Sequence, residues 1–464
     1  MSLEIQFNNI KQAFNHEPNP SIDERISALN ALKQTLLANK DALCLALNED
    51  FGQRSVQDSI LELLPSINNI DYTIEQLEKW ITPSSRHPGA LLEASSSVDV
   101  IYQPKGVVGI ISTWNAPIMV TINPLTAALA AGNRVMIKLS EFTPHFNKAL
   151  KATFADIFSQ GHVQIVEGEA DIAAEFSSLP FDHLLFTGST QVGRLVMKSA
   201  AANLTPVTLE LGGKSPVLID DTADFDTIIE RIVIGKNANS GQLCIAPDYV
   251  LLPEDKLAAF CEKYIEQYQL FFPKGVETAD MTACINDRQF NRIQRYLEDA
   301  KAKSIQIIPC HENAVNNDKR LMATHLVVNP TENELVMQEE IFGPILPIIT
   351  YKSIEQALDL IQKKSRPLAL YLMSEDKTLQ HFVKNYIHSG GMCINDAVFH
   401  ASVDDAPFGG SGDSGMGSYH GFEGFQTFSH AKTVLTTGEA SNVKYMFTPG
   451  DNDFKAAIAQ MLSV

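Results

Sequence analysis

Three polar residues lie in stretches that are otherwise small and apolar, and each has a side chain able to do chemistry. Cys244 sits in Ser240-Gly-Gln-Leu-Cys-Ile-Ala-Pro247, and a cysteine is intrinsically a strong nucleophile even when only a few per cent is thiolate. It is one of six cysteines, and most cysteines are inert packing groups. Glu210 closes an apolar run in Leu209-Glu-Leu-Gly-Gly-Lys214, where a carboxylate must be paired, hydrogen-bonded or used. An ion pair with Lys214 is the plain alternative. Asn115, after Trp114 and ahead of Pro117, can donate its amide to a developing oxyanion or simply shape a turn. Gly188-Ser-Thr-Gln-Val-Gly193 follows an apolar run and opens a helical pattern, so its N–H groups and helix dipole can hold a phosphate. Its spacing is neither G-x-G-x-x-G nor a P-loop, and a strand-to-helix turn with a packing glycine accounts for it more simply.

Residues this far apart need a scaffold that brings them together. The first fifty positions read as helices: Ser21 and Glu24 have capping-box spacing, and Ile26, Leu29, Leu32, Leu36 and Leu37 follow at helical intervals. From residue 100 short apolar runs alternate with amphipathic stretches. Strands are expected at 107–111, 134–139, 163–166 and 183–186, with Thr143-Pro144 as a cap and first helical residue. The helix at 191–202 is expected to present Val192, Leu195 and Val196 on one face. A second series of strands falls at 216–219, 249–252, 325–328, 344–351 and 368–373. This is the grammar of parallel sheets covered on both faces. Residues 82–99, rich in Ser and with Pro and Gly among them, suit a loop or hairpin crossing between bodies.

The balance of 36 Lys and Arg against 55 Asp and Glu leaves a net charge of −19, which disfavours nucleic acid and anionic membranes as partners. The cysteines form no C-x-x-C pair, so neither a metal site nor a disulfide framework is expected. A reducing, cytoplasmic setting fits, since the N-terminal residues lack a secretory signal pattern. Residues 106–133 carry no charge, but Asn115, Pro117, Asn123 and Pro124 interrupt them. A buried strand, loop and helix is expected there rather than a membrane span.

Seven segments in order resemble the aldehyde dehydrogenase superfamily, in its shorter class-3-like branch that includes coniferyl aldehyde dehydrogenases. They are 104–115, 130–141, Phe186-Thr-Gly-Ser-Thr190, 209–214, 241–248, Glu340-Ile-Phe-Gly-Pro344 and Pro407-Phe-Gly-Gly-Ser-Gly412. The resemblance implies an α/β fold with two parallel-sheet domains, one Rossmann-like for the cofactor and one catalytic, plus a small oligomerisation arm. The implied boundaries are 1–81 and 100–208 for the cofactor domain and 209–395 for the catalytic domain. The arm is 82–99 with 423–440, and 396–422 is a glycine-rich return.

Carried over residue by residue, the resemblance makes Cys244 the nucleophile, Glu210 the general base and Asn115 an oxyanion donor beside the Cys244 N–H. It places Lys138 and Glu141 at the adenosine ribose, Gly188, Ser189 and Gly193 near the pyrophosphate, and Glu340 with Phe342 at the nicotinamide. Trp114, Ala116 and Leu243 line the aldehyde pocket. Glu141 points to NAD, with NADP possible, because a carboxylate there accepts ribose hydroxyls and repels a 2′-phosphate. Three residues depart from the usual pattern: Leu139 replaces a proline, Leu243 replaces Thr or Val, and Ala116 replaces an aromatic residue, which widens the pocket. His400 is expected to make structural hydrogen bonds. The implied activity is NAD(P)-dependent oxidation of a hydrophobic or aromatic aldehyde by a homodimer. An acylating enzyme using coenzyme A and a non-catalytic protein retaining the fold are the alternatives.

Overall fold

The computed structural model describes residues 2–463 apart from 90, 91, 94, 440 and 442. Four helices lead the chain, Leu3–His16, Ile22–Ala38, Lys40–Phe51 and Val56–Ile81. The Ser21/Glu24 capping box forms, and Leu29, Leu32 and Leu36 are buried below it. Leu37 faces outward instead.

Two largely parallel sheets follow. The six-stranded sheet has the order Gly415–Met416, Val207–Leu211, His183–Gly188, Val107–Ile111, Arg134–Lys138, Val163–Val166, with only the first strand antiparallel. The seven-stranded sheet runs Gln306–Pro309, His325–Val328, Ile345–Tyr351, Tyr249–Pro253, Pro216–Ile219, Ala369–Met373, Gly391–Ile394. Only Gln306–Pro309 is antiparallel there. The expected domain boundary at 208/209 would cut the strand Val207–Leu211, which pairs with His183–Gly188 along its length. Glu210 therefore belongs to the six-stranded sheet, and the chain passes to the second sheet through residues 212–215.

The uncharged stretch at 106–133 resolves into the strand Val107–Ile111, a loop, and the helix Met119–Ala130. That helix runs through Asn123 and Pro124 and is buried from Val120 onward, with Asn123 Nδ2 and His420 Nε2 2.9 Å apart. Among the described residues no helix is long and apolar enough to cross a membrane. A third, antiparallel sheet joins Ser84–Arg86, Ser96–Pro104 and Ser429–Thr437. These strands include much of the expected arm, whose residues 90, 91, 94 and 440 lie outside the described ones. Ser429–Thr437 is an edge strand and mostly exposed.

Two local expectations are corrected. In the helix Thr190–Ala201 the face toward the core is Gly193, Val196 and Ala200, while Val192 and Leu195 are exposed. The helix packs through its smallest residues because a Cβ at Gly193 would come within 2.6 Å of Leu211 Cδ2. Thr143 does not cap Pro144–Ala155 with its side chain. Asp50, from the helix Lys40–Phe51, does so across the fold, accepting His145 N at 2.9 Å and Phe146 N at 2.8 Å. Asp50→Ala should therefore destabilise that helix by about 1 kcal/mol, seen as faster amide exchange at His145 and Phe146. Unchanged protection would show that the first turn is held by other contacts.

Candidate active site

Parallel strands deliver their carboxyl ends to one edge of a sheet, where loops build ligand sites. Val107–Ile111 leads into the loop carrying Trp114 and Asn115, and His183–Gly188 leads into the helix capped by Ser189. Val207–Leu211 places Glu210 opposite Thr187 on one side and Gly415 on the other. Glu210 is only 1% exposed. Neither carboxylate oxygen has a well-formed hydrogen bond among the described residues. Burial pushes its pKa up to about 7, opposed by the Cys244 thiol and the Thr187 hydroxyl. The alternative ion pair with Lys214 does not form: Lys214 pairs with Asp248 and donates to Val336 O at 2.7 Å and Glu339 O at 2.8 Å.

Cys244 follows a run of left-handed residues, Asn239, Ser240 and Gly241, with φ of 51°, 52° and 75°. Glycine is required at the last of these, since a Cβ there would lie 2.5 Å from Gly343 O. The tight path brings the cysteine turn against the loop carrying Glu340 and Phe342. Burial raises the Cys244 thiol pKa well above its ordinary value, and the Glu210 carboxylate raises it further. Asn115 is buried, and one of its amide N–H groups donates to Gln242 O at 3.0 Å. An amide carries a second N–H.

Two cavities meet at these residues. One, of about 240 Å³, is lined by Trp114, Gly188, Ser189, Gly212, Glu340 and Phe342. The other, of about 110 Å³, is lined by Ala116, Met119, Leu243, Val398, Phe408 and Tyr419, among others. Asn115, Glu210 and Cys244 line both. Trp114, expected at the aldehyde pocket, lies instead on the Phe342 side, with ring centroids 5.5 Å apart.

The first cavity and the wider cleft beside it suit a dinucleotide. The helix Thr190–Ala201 presents its N-terminus there, and Arg288, Arg292 and Arg295 line the cleft. Gly212 leaves room for Glu340, whose Oε2 would lie 2.0 Å from a Cβ at that position. Burial, with the Asp248 charge, raises the Glu340 pKa to about 8. Lys138 and Glu141 stand apart from both cavities, at the end of Arg134–Lys138. Gly193 is packed against Leu211 rather than facing the cleft. His400, expected to make structural hydrogen bonds, has its Nδ1 3.3 Å from Cys393 Sγ; its buried Nε2 has no partner among the described residues, and burial lowers its pKa to about 4.

Sequence reasoning missed Arg292, which donates to Glu340 O at 3.1 Å and Phe342 O at 3.3 Å and so holds Phe342 at a φ of 47°. It also missed Arg54, Asp58 and Glu62, which line the smaller cavity. Their only signal is three charges at 54, 58 and 62, of which Asp58 and Glu62 share a face of the helix Val56–Ile81 while Arg54 precedes it.

The Aldehyde dehydrogenase family profile matches residues 4–434. A probable coniferyl aldehyde dehydrogenase of Pseudomonas aeruginosa is 46% identical over 448 residues, 96% of this chain and 93% of that protein. The dimeric, NADP-preferring aldehyde dehydrogenase of Rattus norvegicus is 35% identical, covering 95% of this chain and 96% of its own length. The solved substrate-bound state of Staphylococcus aureus AldH superposes with a TM-score of 0.94 at 32% identity, over 99% of this chain and 100% of that one. The chain belongs to the aldehyde dehydrogenase family. It is an oxidoreductase, of a family that uses NAD(P).

The thiol and carboxylate make an electrostatic prediction of their own. In Glu210→Gln the Cys244 thiol loses a negative neighbour that helps it keep its proton. Its alkylation by iodoacetamide at pH 8, followed by peptide mass spectrometry, should accelerate. Slower alkylation would mean that Glu210 draws the proton away instead.

Proposed function

We propose that this chain oxidises neutral, hydrophobic aldehydes, aromatic ones of the coniferyl aldehyde kind among them, to carboxylates. The observation that carries this reading is that Asn115, Glu210 and Cys244 line both cavities at their junction. In it, the Cys244 thiol gives its proton to solvent, Sγ bonds to the carbonyl carbon as the C=O π pair moves onto oxygen, and the new oxyanion meets the Cys244 N–H and the second amide N–H of Asn115. The bound nicotinamide cofactor supplies a hydride acceptor. Glu210 then takes a proton from a water whose oxygen attacks the Cys244 thioester, releasing the carboxylate and returning the thiol. The same carboxylate argues against passing the acyl group to coenzyme A, and three intact reactive groups argue against a non-catalytic protein.

In this reading Gly188 and Ser189 hold the pyrophosphate at the helix N-terminus, Glu340 and Phe342 hold the nicotinamide riboside, and Lys138 with Glu141 holds the adenosine ribose. Glu167, Glu169 and Asp171 also act on Lys138 electrostatically. A 2′-phosphate would therefore meet several carboxylates, which favours NAD. The exposed edge strand Ser429–Thr437 supports a homodimer, because pairing between copies would cover it. All six cysteines are free, in keeping with a reducing, cytoplasmic setting.

An aldehyde panel read by reduced-cofactor absorbance, with NAD and NADP in parallel, tests the whole reading. Absence of signal from every aldehyde would sink it. Glu210→Gln should give a burst of reduced cofactor close to one per site, then a steady state slowed about 10² to 10⁴-fold. Wild-type steady-state turnover should rise as pH climbs through about 7, where Glu210 loses its proton, and this rise should vanish in the variant. Wild-type turnover by Glu210→Gln would assign deacylation to another base. Glu141→Ala should raise the NADP-to-NAD ratio of kcat/KM, and an unchanged ratio would remove Glu141 from the ribose site.

A further inference from the structure

The loop before Cys244 is fastened to the N-terminal helices by a buried polar cluster that the proposed chemistry does not itself use. At its centre is Asn239, 2% exposed and left-handed. Its backbone N–H donates to Asp58 Oδ1 at 2.8 Å, and its Oδ1 accepts Arg54 Nη1 at 3.0 Å. Its Nδ2 donates to Asn115 O at 2.8 Å and to Gln242 O at 3.2 Å. One side chain thus spans the segment carrying the Asn115 amide and the loop leading to Cys244.

The groups holding Asn239 are themselves fixed. Asp58 accepts the Thr282 hydroxyl on its other oxygen, and the same hydroxyl accepts Ser55 N at 3.0 Å. Arg54 is paired with Glu62, and Glu62 Oε2 accepts Ile118 N at 2.9 Å, just ahead of the helix Met119–Ala130. Arg54, Asp58 and Glu62 are all buried. A left-handed conformation outside glycine costs about 1 kcal/mol or more and persists only where its surroundings enforce it. These partners provide that enforcement for Asn239.

We propose that Asn239 is a positioning residue, held by Arg54 and Asp58, that fixes the Asn115 segment against the Gln242 peptide and so sets the geometry of the oxyanion site. This rests on the assignment of Cys244 and Asn115 made above. Asn115 Nδ2 and Asn239 Nδ2 share the Gln242 carbonyl as acceptor. Loss of the Asn239 side chain would leave Asn115 to set that distance alone, and the donor amide would no longer be held where the oxyanion forms.

Asn239→Gly is the cleanest variant, because glycine keeps the left-handed backbone at no steric cost while the amide is lost. We expect kcat/KM for the aldehyde to fall about 10- to 100-fold, less than the roughly 10² to 10³-fold typical when an oxyanion donor itself is removed. Cofactor affinity, read by fluorescence titration, and alkylation of Cys244 by iodoacetamide should change less than about twofold, since neither needs the oxyanion site. The decisive measurement is a double-mutant cycle with Asn115→Ala. If Asn239 acts through Asn115, the double variant is no more than about threefold worse than Asn115→Ala alone. Multiplicative losses, or an unaffected Asn239→Gly, would overturn the proposal. If Asn239→Gly does not fold, Asn239→Asp, which keeps the shape but cannot donate to Asn115 O, carries the same cycle. Should Asn115→Ala alone match wild type, the oxyanion assignment fails and this inference with it, whereas multiplicative losses beside an impaired Asn115→Ala overturn this inference alone.

Discussion

Glu210 is a carboxylate held in an apolar wall with no counter-ion among the described residues, and the arrangement of the site depends on keeping it there. A buried acid normally finds a cation, and Lys214 lies only four residues on. Asp248 takes Lys214 instead, with the Val336 and Glu339 carbonyls completing its shell. A pKa raised from 4.5 to about 7 corresponds to a folding cost of about 3 kcal/mol. The sign follows from the direction: below the unfolded pKa the group is protonated in both states and costs nothing. The cost grows with pH and is complete above about 7. Such a cost is met by the surrounding sheet, where strands on both sides lock Glu210 in register.

The same constraint explains why the loop leading to Cys244 is so tightly folded. The thiol has to face the end of one sheet while its chain runs directly into Tyr249–Pro253 of the other. The left-handed run from Asn239 to Gly241 makes that reversal, and Gly241 allows the loop to touch Gly343. Phe342 is left-handed too, held by Arg292. Strain therefore collects where the two sheets' loops meet, and side chains from distant helices retain it.

This division sets how much was legible in the sequence. Apolar runs such as 107–111 and 216–219 need only a buried parallel strand to be explained, and both formed where expected. The short antiparallel strand Gln306–Pro309 carries no comparable apolar signal and was missed. Cys244, Glu210 and Asn115 stood out by their apolar or glycine-rich settings, but only the resemblance favoured reactive roles over an inert thiol, an ion pair and a turn; the structure brings the three together where two cavities meet. Asp50, Arg292, Arg54 and Asp58 were not, because their partners lie far along the chain: Asp58 meets Asn239, 181 residues on. Val192 and Leu195 misled in the opposite sense. Helical spacing identified a face, while close packing against Leu211 selected the one built from Gly193 and Ala200.

The buried cluster also bears on which aldehydes the smaller cavity suits. Arg54, Asp58 and Glu62 put three charged groups in its wall, a composition that out of context would suggest a site for an ionic substrate. In place, the Arg54 guanidinium is engaged by Glu62, Asn239 and the Asn115 carbonyl. Asp58 is engaged by Asn239 and Thr282, and Glu62 also accepts the Ile118 amide. An aldehyde bearing its own carboxylate would find Arg54, the one cation among the described lining residues, committed and three acids, Asp58, Glu62 and Glu210, beside it, besides losing its hydration. On the proposed reading, a neutral apolar aldehyde would disturb none of these bonds and would meet Leu243, Val398 and Phe408, which line the cavity. Charge in this wall would, on that reading, select by exclusion, while the same groups hold the loop that leads to Cys244.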